Sequence, residues 1–132
     1  MKRVLLVVAV AAAVAPSAAD PASRGRQYPW FHLASRAVYC HVDVSDRRFP
    51  LLCWRPVSGY VVAMAPKGKV QTATLRRWRK NWEDSSPILR KGKSWRYPGF
   101  RCTVATSGRQ IKCVNQRNHG WTLGPGKAKR VF

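Results

Sequence analysis

Acidic residues are scarce in this chain. Its 132 residues include 25 Lys and Arg but only five Asp and Glu, which gives a formal net charge of +20. Glycoside hydrolysis usually requires two carboxyl groups placed across the scissile bond. Here Glu83 and Asp84 are sequence neighbours that point apart, while Asp43 and Asp46 flank a predicted turn. We therefore do not expect a glycosidase.

Long apolar segments are also missing. The longest apolar run covers residues 4–14, well short of the roughly 20 residues that a membrane-spanning helix needs. Lys2 and Arg3 precede this run and the small residues Ser17, Ala18 and Ala19 follow it. This pattern is typical of a secretory signal peptide, so we predict cleavage after Ala19 and a secreted protein, either extracellular or associated with the cell envelope.

Short metal and catalytic motifs are absent as well. The cysteines Cys40, Cys53, Cys102 and Cys113 are separated by gaps much longer than those of a C-x2-4-C zinc knuckle. No G-x-S-x-G, H-E-x-x-H or glycine-rich phosphate loop occurs. We therefore expect no metal and no cofactor. In an exported chain, an even number of cysteines favours disulfides.

The mature chain has the length of one domain. Cleavage after Ala19 removes Lys2 and Arg3 but no acid, so the net charge falls only from +20 to +18. Residues 20–29 are small, polar and basic, and we interpret them as a flexible lead-in. Residues 30–132 then form a single disulfide-stapled domain.

Two hairpins are predicted around the cysteines. Val38, Cys40 and Val42 alternate with polar or aromatic residues, which indicates a strand over residues 36–44, and residues 49–56 form its partner. Residues 99–106 and 110–115 form a second pair around the Ser107-Gly108 turn. Opposed strand residues lie within disulfide range, so we predict the pairs Cys40–Cys53 and Cys102–Cys113. Two other pairings remain possible.

The rest of the chain completes a mostly β fold. Strands are predicted over residues 59–65, 70–74 and 119–123, with a charged connector over residues 88–98. Leu75, Trp78 and Trp82 recur at helical spacing and predict one short helix over residues 75–82. The expected architecture is a small antiparallel sheet or partly open barrel of two stapled hairpins plus this helix.

Two cationic aromatic segments, residues 76–82 and 90–96, give the clearest indication of a binding function, because Trp residues lie among Arg and Lys residues in both. Trp rings beside Arg and Lys are suited to anionic polymers or an anionic membrane surface. The alternative is that the Trp rings pack on the sheet while the cations are merely solvated, the commoner arrangement for such a helix. The candidate polyanion-binding residues are Arg76, Arg77, Trp78, Arg79, Lys80, Trp82, Lys93, Trp95 and Arg96.

Two other functions compete with a non-catalytic, polyanion-associating module. A small secreted ribonuclease or phosphodiesterase would use His41 and His119 as the proton-exchanging pair and Lys112 as the cation. An inhibitor or docking module for a protein partner is the second alternative. No specific nucleic-acid partner is indicated, and we expect no catalytic residues.

Several short motifs occur together around the cysteines. Phe100-x-Cys102, Cys113-x-Asn115 and His119-Gly120-Trp121-x-Leu123-Gly124, together with the terminal Phe132, resemble an uncharacterised family of small exported bacterial proteins, classed as a domain of unknown function. Tyr39-Cys40 and Leu52-Cys53-Trp54 resemble the first staple of that family. Asn118 stands where members commonly have glycine. The resemblance implies a secreted, β-rich, disulfide-paired fold and brings no assigned activity.

Overall fold

The structure, a computed structural model, describes residues 28–75, 86–125 and 129–132. Within these ranges the chain forms eleven β-strands in two sheets and contains no helix, hence none that could cross a membrane. In chain order the strands are β1 (Trp30–Leu33), β2 (Tyr39–Val42), β3 (Leu51–Arg55), β4 (Tyr60–Met64), β5 (Gln71–Thr74), β6 (Ile88–Leu89), β7 (Ser94–Tyr97), β8 (Phe100–Val104), β9 (Ile111–Asn115), β10 (Gly120–Leu123) and β11 (Lys129–Val131).

The first half of the described chain forms a six-stranded sheet in the order β5-β4-β3-β2-β1-β6. Strands β1 to β5 are an antiparallel meander, and β6 returns to pair in parallel with β1. Acidic side chains order the β2–β3 turn: Asp43 accepts hydrogen bonds from the backbone and hydroxyl of Ser45, and Asp46 accepts from Arg48. Such turns suit Asp because its short carboxylate reaches a backbone N–H two residues ahead.

The second half forms a five-stranded antiparallel sheet in the order β11-β10-β9-β8-β7. Its central strand pair shows the pattern that the sequence predicts. In β8, Phe100, Cys102 and Val104 are buried while Arg101 and Thr103 between them are exposed. This alternation follows from the two-residue period of a strand with one face on a core.

The inner faces of the two sheets share one hydrophobic core, which contains Phe31, Leu51 and Val62 from one sheet and Ile111 and Trp121 from the other. Phe31 and Trp95 contact across it with ring centroids 4.9 Å apart. Burial of each such side chain contributes about 1.5–3 kcal/mol. The sheets are therefore held together mainly by apolar packing.

Both disulfides lie inside this core, completely buried. Cys40 bonds Cys53 across β2 and β3, and Cys102 bonds Cys113 across β8 and β9, each between directly opposed residues. The predicted pairing is confirmed. The sulfur atoms of Cys40, Cys53 and Cys113 lie within 4.8 Å of one another, so the two disulfides pack against each other at the centre of the molecule.

The prediction of a connector over residues 88–98 is wrong, because β6 and β7 lie within it. In β7 only Trp95 is buried, and the basic residues around it conceal the alternation. Strands β1 and β11 were also not predicted. The prediction of a mostly β fold is confirmed, but the strands form two packed sheets rather than one small sheet or a partly open barrel.

Two predicted segments lie at the limits of the described chain. The predicted helix over residues 75–82 falls, except for Leu75, outside the described residues. At the other limit, Tyr28 and Pro29 belong to the predicted lead-in, yet both hydrogen-bond to the domain. The Tyr28 carbonyl accepts from Trp95 Nε1 at 2.9 Å, and the Pro29 carbonyl accepts from the Val42 backbone at 2.6 Å.

Candidate anion-binding surface

The outer face of the five-stranded sheet carries exposed cations, hydroxyls and one aromatic ring. Its residues alternate along the strands with inward-facing Trp95, Cys102, Cys113 and Trp121, so each points away from the core. We call this surface the basic face; it consists of Ser94 and Arg96 from β7, Arg101 and Thr103 from β8, Lys112 and Val114 from β9, Gly120 and Thr122 from β10, and Arg130 and Phe132 at β11.

A two-residue turn places two arginines side by side on the basic face. Pro98 and Gly99 connect β7 to β8, and Gly99 has a φ of 92°, which matches the Pro-Gly pattern of a type II turn. A side chain at this φ would be strained, and its Cβ would also lie 2.8 Å from Pro66. The turn sets the register in which Arg96 lies directly opposite Arg101.

The remaining cations continue across the sheet. Thr103 pairs with Lys112, Lys112 with Thr122, and Thr122 with Arg130. Five strands spaced about 4.8 Å apart span about 19 Å from first to last. The cations therefore form a diagonal track from β7 to β11, with threonine hydroxyls between them.

No acidic residue compensates this charge within the described part of the chain. The sequence contains no Asp or Glu after Asp84, and the ion pair seen in the described ranges joins Arg48 and Asp46 in the β2–β3 turn of the other sheet. Like charges directly opposed on neighbouring strands destabilise a sheet. The Arg96–Arg101 pair is therefore expected to lower the stability of the sheet, and departures of this kind from folding rules are common at functional sites.

The β9–β10 turn borders the basic face and is held rigidly. Asn115 is buried, and its Nδ2 donates to the carbonyls of Ala65 at 3.0 Å and Gly68 at 2.6 Å. Its Oδ1 accepts from the backbones of Arg117 and His119. One amide therefore joins turns of both sheets and fixes the conformation of the residues between them.

Asn118 lies within this turn and adopts a φ of 59°. This left-handed conformation is tolerated by Asn better than by most non-glycine residues. Its side chain is exposed beside the basic face, where it lines two adjoining depressions. The β9–β10 turn therefore places the neutral side-chain amide of Asn118 beside the cations of the basic face.

Gly120 allows β10 to approach β9 closely. A Cβ atom at this position would lie 2.0 Å from the carbonyl oxygen of Cys113, so no other residue fits without a backbone shift. Gly120 lies between Val114 and Phe132 in the register. Because it has no side chain, the surface is lower there than at its neighbours.

The residues predicted from sequence as polyanion contacts have different positions. Arg96 lies on the basic face, and Lys93 is exposed immediately before β7. Trp95 points the other way, stacks on Tyr97 with centroids 5.7 Å apart, and is 9% exposed, so its ring belongs to the core. The other predicted contacts, Arg76, Arg77, Trp78, Arg79, Lys80 and Trp82, lie outside the described residues.

The residues of the ribonuclease alternative are not brought together. His41 lies on the outer face of the six-stranded sheet, opposite in direction to the neighbouring Cys40, whereas Lys112 lies on the outer face of the other sheet. The Nδ1 atom of His119 lies 3.0 Å from the Gly68 carbonyl oxygen in the inter-sheet turn contact. Burial lowers the pKa of His41, and nearby Asp43 opposes this shift only in part.

Two further clusters have structural explanations. The three sulfur atoms with metal-like spacing all belong to disulfides, and no cysteine is free, so they offer no thiolate ligand. His32 is buried on β1, where its Nδ1 hydrogen-bonds Ser86 Oγ at 2.5 Å and its backbone N–H donates to Pro87. These contacts hold the segment before β6 against β1.

The sequence analysis did not identify Arg101, Asn118 or Arg130 as site residues, and it assigned Lys112 only to the ribonuclease alternative. Two signals in the sequence point to Arg101 and Lys112. One is the alternation in β8 and β9, which directs Arg101 and Lys112 away from the core. The other is the absence of acids after Asp84.

Comparisons with protein-family models, with curated proteins and with solved structures reveal no match to this chain. The resemblance to a family of exported bacterial proteins therefore stays a prediction.

Proposed function

We propose that the protein is a secreted, non-catalytic module that associates with anionic polymers or an anionic surface of the cell envelope, and that the basic face is its contact surface. One observation carries the proposal: Arg96, Arg101, Lys112 and Arg130 form a track on one sheet face without an acidic neighbour among the described residues. The signal-peptide pattern of residues 1–19 supports export, and the net charge of +20 supports long-range attraction of polyanions.

Two variants that lose the same number of positive charges at different places distinguish a site-specific interaction from diffuse attraction. Replacing Arg96, Arg101, Lys112 and Arg130 with Gln removes four charges from the basic face. Replacing Arg47, Lys67, Lys69 and Arg109 with Gln removes four charges from exposed turns. Affinity for heparin would be measured by titration calorimetry at several salt concentrations, with circular dichroism as the check on folding.

We expect the basic-face variant to lose about 30-fold in affinity, which corresponds to about 0.5 kcal/mol per exposed charge pair. The control variant should lose much less, and binding of both should weaken as salt rises. Equal losses in the two variants would reduce the proposal to diffuse electrostatics. Salt-independent binding would contradict it altogether.

The cationic aromatic segment over residues 76–82 is tested with a third variant in the same binding experiment. Replacing Arg76, Arg77, Arg79 and Lys80 with Gln removes the same charge from the cationic aromatic segment. A loss larger than that of the basic-face variant would move the main contact surface to that segment. RNA cleavage that disappears in folded His41→Ala or His119→Ala protein would instead favour the ribonuclease alternative.

A further inference from the structure

The basic face contains two adjoining depressions. One has a volume of about 380 Å³ and is lined by Arg96, Gln116 and Asn118 among others. The second has a volume of about 240 Å³ and is lined by Thr103, Lys112 and Phe132 among others. Because Arg101, Val114 and Asn118 line both, the depressions meet and cross several strands. An extended chain fits this shape better than a single small molecule.

Charged and neutral hydrogen-bonding groups lie side by side in the depressions. Arg101 and Lys112 lie on adjacent strands and supply charged donors, Thr103 opposite Lys112 supplies a hydroxyl, and Asn118 in the β9–β10 turn supplies an amide. The Thr103 hydroxyl bonds to Ser94 Oγ at 2.8 Å and retains hydrogen-bonding capacity. A ligand with anionic groups separated by neutral hydroxyls would satisfy both kinds of partner.

The aromatic residues of the five-stranded sheet argue against nucleobases and membranes. Single-stranded nucleic acids are usually bound by stacking successive bases on exposed aromatic rings. Trp95 and Trp121 both point into the core, and Phe132 is the exposed ring of the basic face, with Lys112 Nζ 5.3 Å from its centroid. Membrane-surface binding would likewise need several exposed Trp, Phe or Leu side chains for insertion, and Phe132 is the one such residue among the described residues of this face.

We infer that the ligand is an acidic polysaccharide whose chain crosses the strands of the basic face, with a carboxylate or sulfate group seated between Arg101 and Lys112. This inference rests on the proposed function and narrows it to one class of polymer. Thr103 and Asn118 hydrogen-bond the neutral hydroxyls beside that group. Arg96 and Arg130 contact further anionic groups along the same chain.

The test changes the neutral groups while keeping every charge. Thr103→Val retains a β-branched side chain on an exposed strand, and Asn118→Gly retains a residue that accepts the left-handed φ. The double variant Thr103→Val/Asn118→Gly is compared with Thr72→Val/Gln71→Ala on exposed β5. The probes are a heparin hexasaccharide, a hexamer of galacturonic acid, a charge-matched oligo(dT) and phosphatidylglycerol vesicles.

We expect a saccharide probe to bind the unmodified protein more tightly than oligo(dT) or vesicles do. The Thr103/Asn118 variant should lose about tenfold in affinity for that saccharide and less than twofold for oligo(dT). The β5 control variant should keep its affinity for both probes. The heparin and galacturonate arms distinguish sulfate from carboxylate as the anionic group.

Two results would overturn the inference while leaving the proposed function intact. One is tightest binding of oligo(dT) or vesicles. The other is an unchanged saccharide affinity in the Thr103/Asn118 variant while the four-charge variant of the basic face still binds more weakly than its control. If that four-charge variant matches its control for every probe, the basic face is not the contact surface, so the inference fails and the proposed function is reduced to diffuse electrostatics.

Discussion

The two sheets have similar inner faces and different outer faces. Each is built mainly from an antiparallel meander with one disulfide across a hairpin, at directly opposed residues. The outer face of the six-stranded sheet carries Tyr39, Trp54 and Val61, which form a second buried cluster. The outer face of the other sheet is exposed and cationic. Within the described part of the chain, the two outer faces therefore differ in burial and in charge.

The burial patterns of matching strands express this difference. Strand β3 has four of its five residues buried, including Trp54 on the outer side, whereas β8 alternates strictly between buried and exposed residues. On the six-stranded sheet, His32 stacks on Tyr39 with centroids 5.3 Å apart, and Tyr39 contacts Trp54 at 6.1 Å. A strand buried on both faces contributes to stability, while one with a polar outer face leaves side chains free for a ligand.

The largest expected effects test whether the two stapled hairpins are energetically equivalent. The disulfides have sequence separations of 13 and 11 residues, so the chain-entropy model assigns each about 3 kcal/mol. We expect Cys40→Ala/Cys53→Ala and Cys102→Ala/Cys113→Ala to lower the free energy of unfolding in urea by similar amounts. A difference of several kcal/mol would show that one sheet is the stable core and the other depends on it.

A smaller loss is expected where the two sheets are joined by a polar contact. Asn115 makes four hydrogen bonds to turns of both sheets, so Asn115→Ala should lower the free energy of unfolding by about 2–3 kcal/mol. Asn115→Asp keeps the shape and the two accepted bonds but places a carboxylate oxygen against the Ala65 and Gly68 carbonyls. It should therefore destabilise the protein at least as much at neutral pH. If both variants were as stable as the unmodified protein, the turns would keep their conformation without the hydrogen bonds of the Asn115 side chain.

A single added charge sharpens the contrast between the outer faces. Thr122→Glu places an acid between Lys112 and Arg130 on the basic face, and Gln71→Glu places one on the outer side of exposed β5. Both change the net charge equally. We expect Thr122→Glu to weaken heparin binding about tenfold, or about 1.4 kcal/mol, and Gln71→Glu to weaken it less than twofold. Equal weakening would contradict a localised surface.

Much of the fold was predictable because the central hairpins alternate cleanly. Cys102 and Val104 alternate with exposed residues in β8, and the local turn brings β9 back in the expected register, so both the strands and the disulfide follow from nearby residues. Strand β1 has no such alternation, since His32 is buried on the outer side of its sheet. Strand β11 has no buried residue at all, so its pairing depends on β10 rather than on its own pattern.

The basic face was less predictable than the fold because it is assembled across strands. The sequence analysis placed its candidate contacts in two contiguous segments, residues 76–82 and 90–96, where the cations are close together in the chain. On the basic face, Arg101 and Lys112 become neighbours only through the register of β8 and β9, and Arg130 joins them only through β10. Trp95 shows the converse, since a residue beside many cations turns inward to the core.

The smallest expected effect concerns pH and is confined to the six-stranded sheet. Burial lowers the pKa of His41 below its usual value of 6.5, so the unfolded chain binds a proton at this residue more readily than the folded protein does. The stability that depends on neutral His41 is fully present above pH 6.5 and is lost as the pH falls toward the folded pKa. The pKa of Asp43 is also low, mainly because the Ser45 hydroxyl donates to it, so its titration lies at more acidic pH.

We therefore expect the free energy of unfolding, measured in urea between pH 7.5 and pH 5.5, to decrease modestly as the pH falls. His41→Gln should reduce this decrease, whereas His119→Gln, which leaves His41 in place, should retain it. Because His41 and the basic face lie on opposite sides of the molecule, His41→Gln should leave heparin affinity at pH 7.5 unchanged. A pH slope that persists in His41→Gln would assign the effect to another group, and a loss of heparin affinity in that variant would extend the binding surface to both sheets.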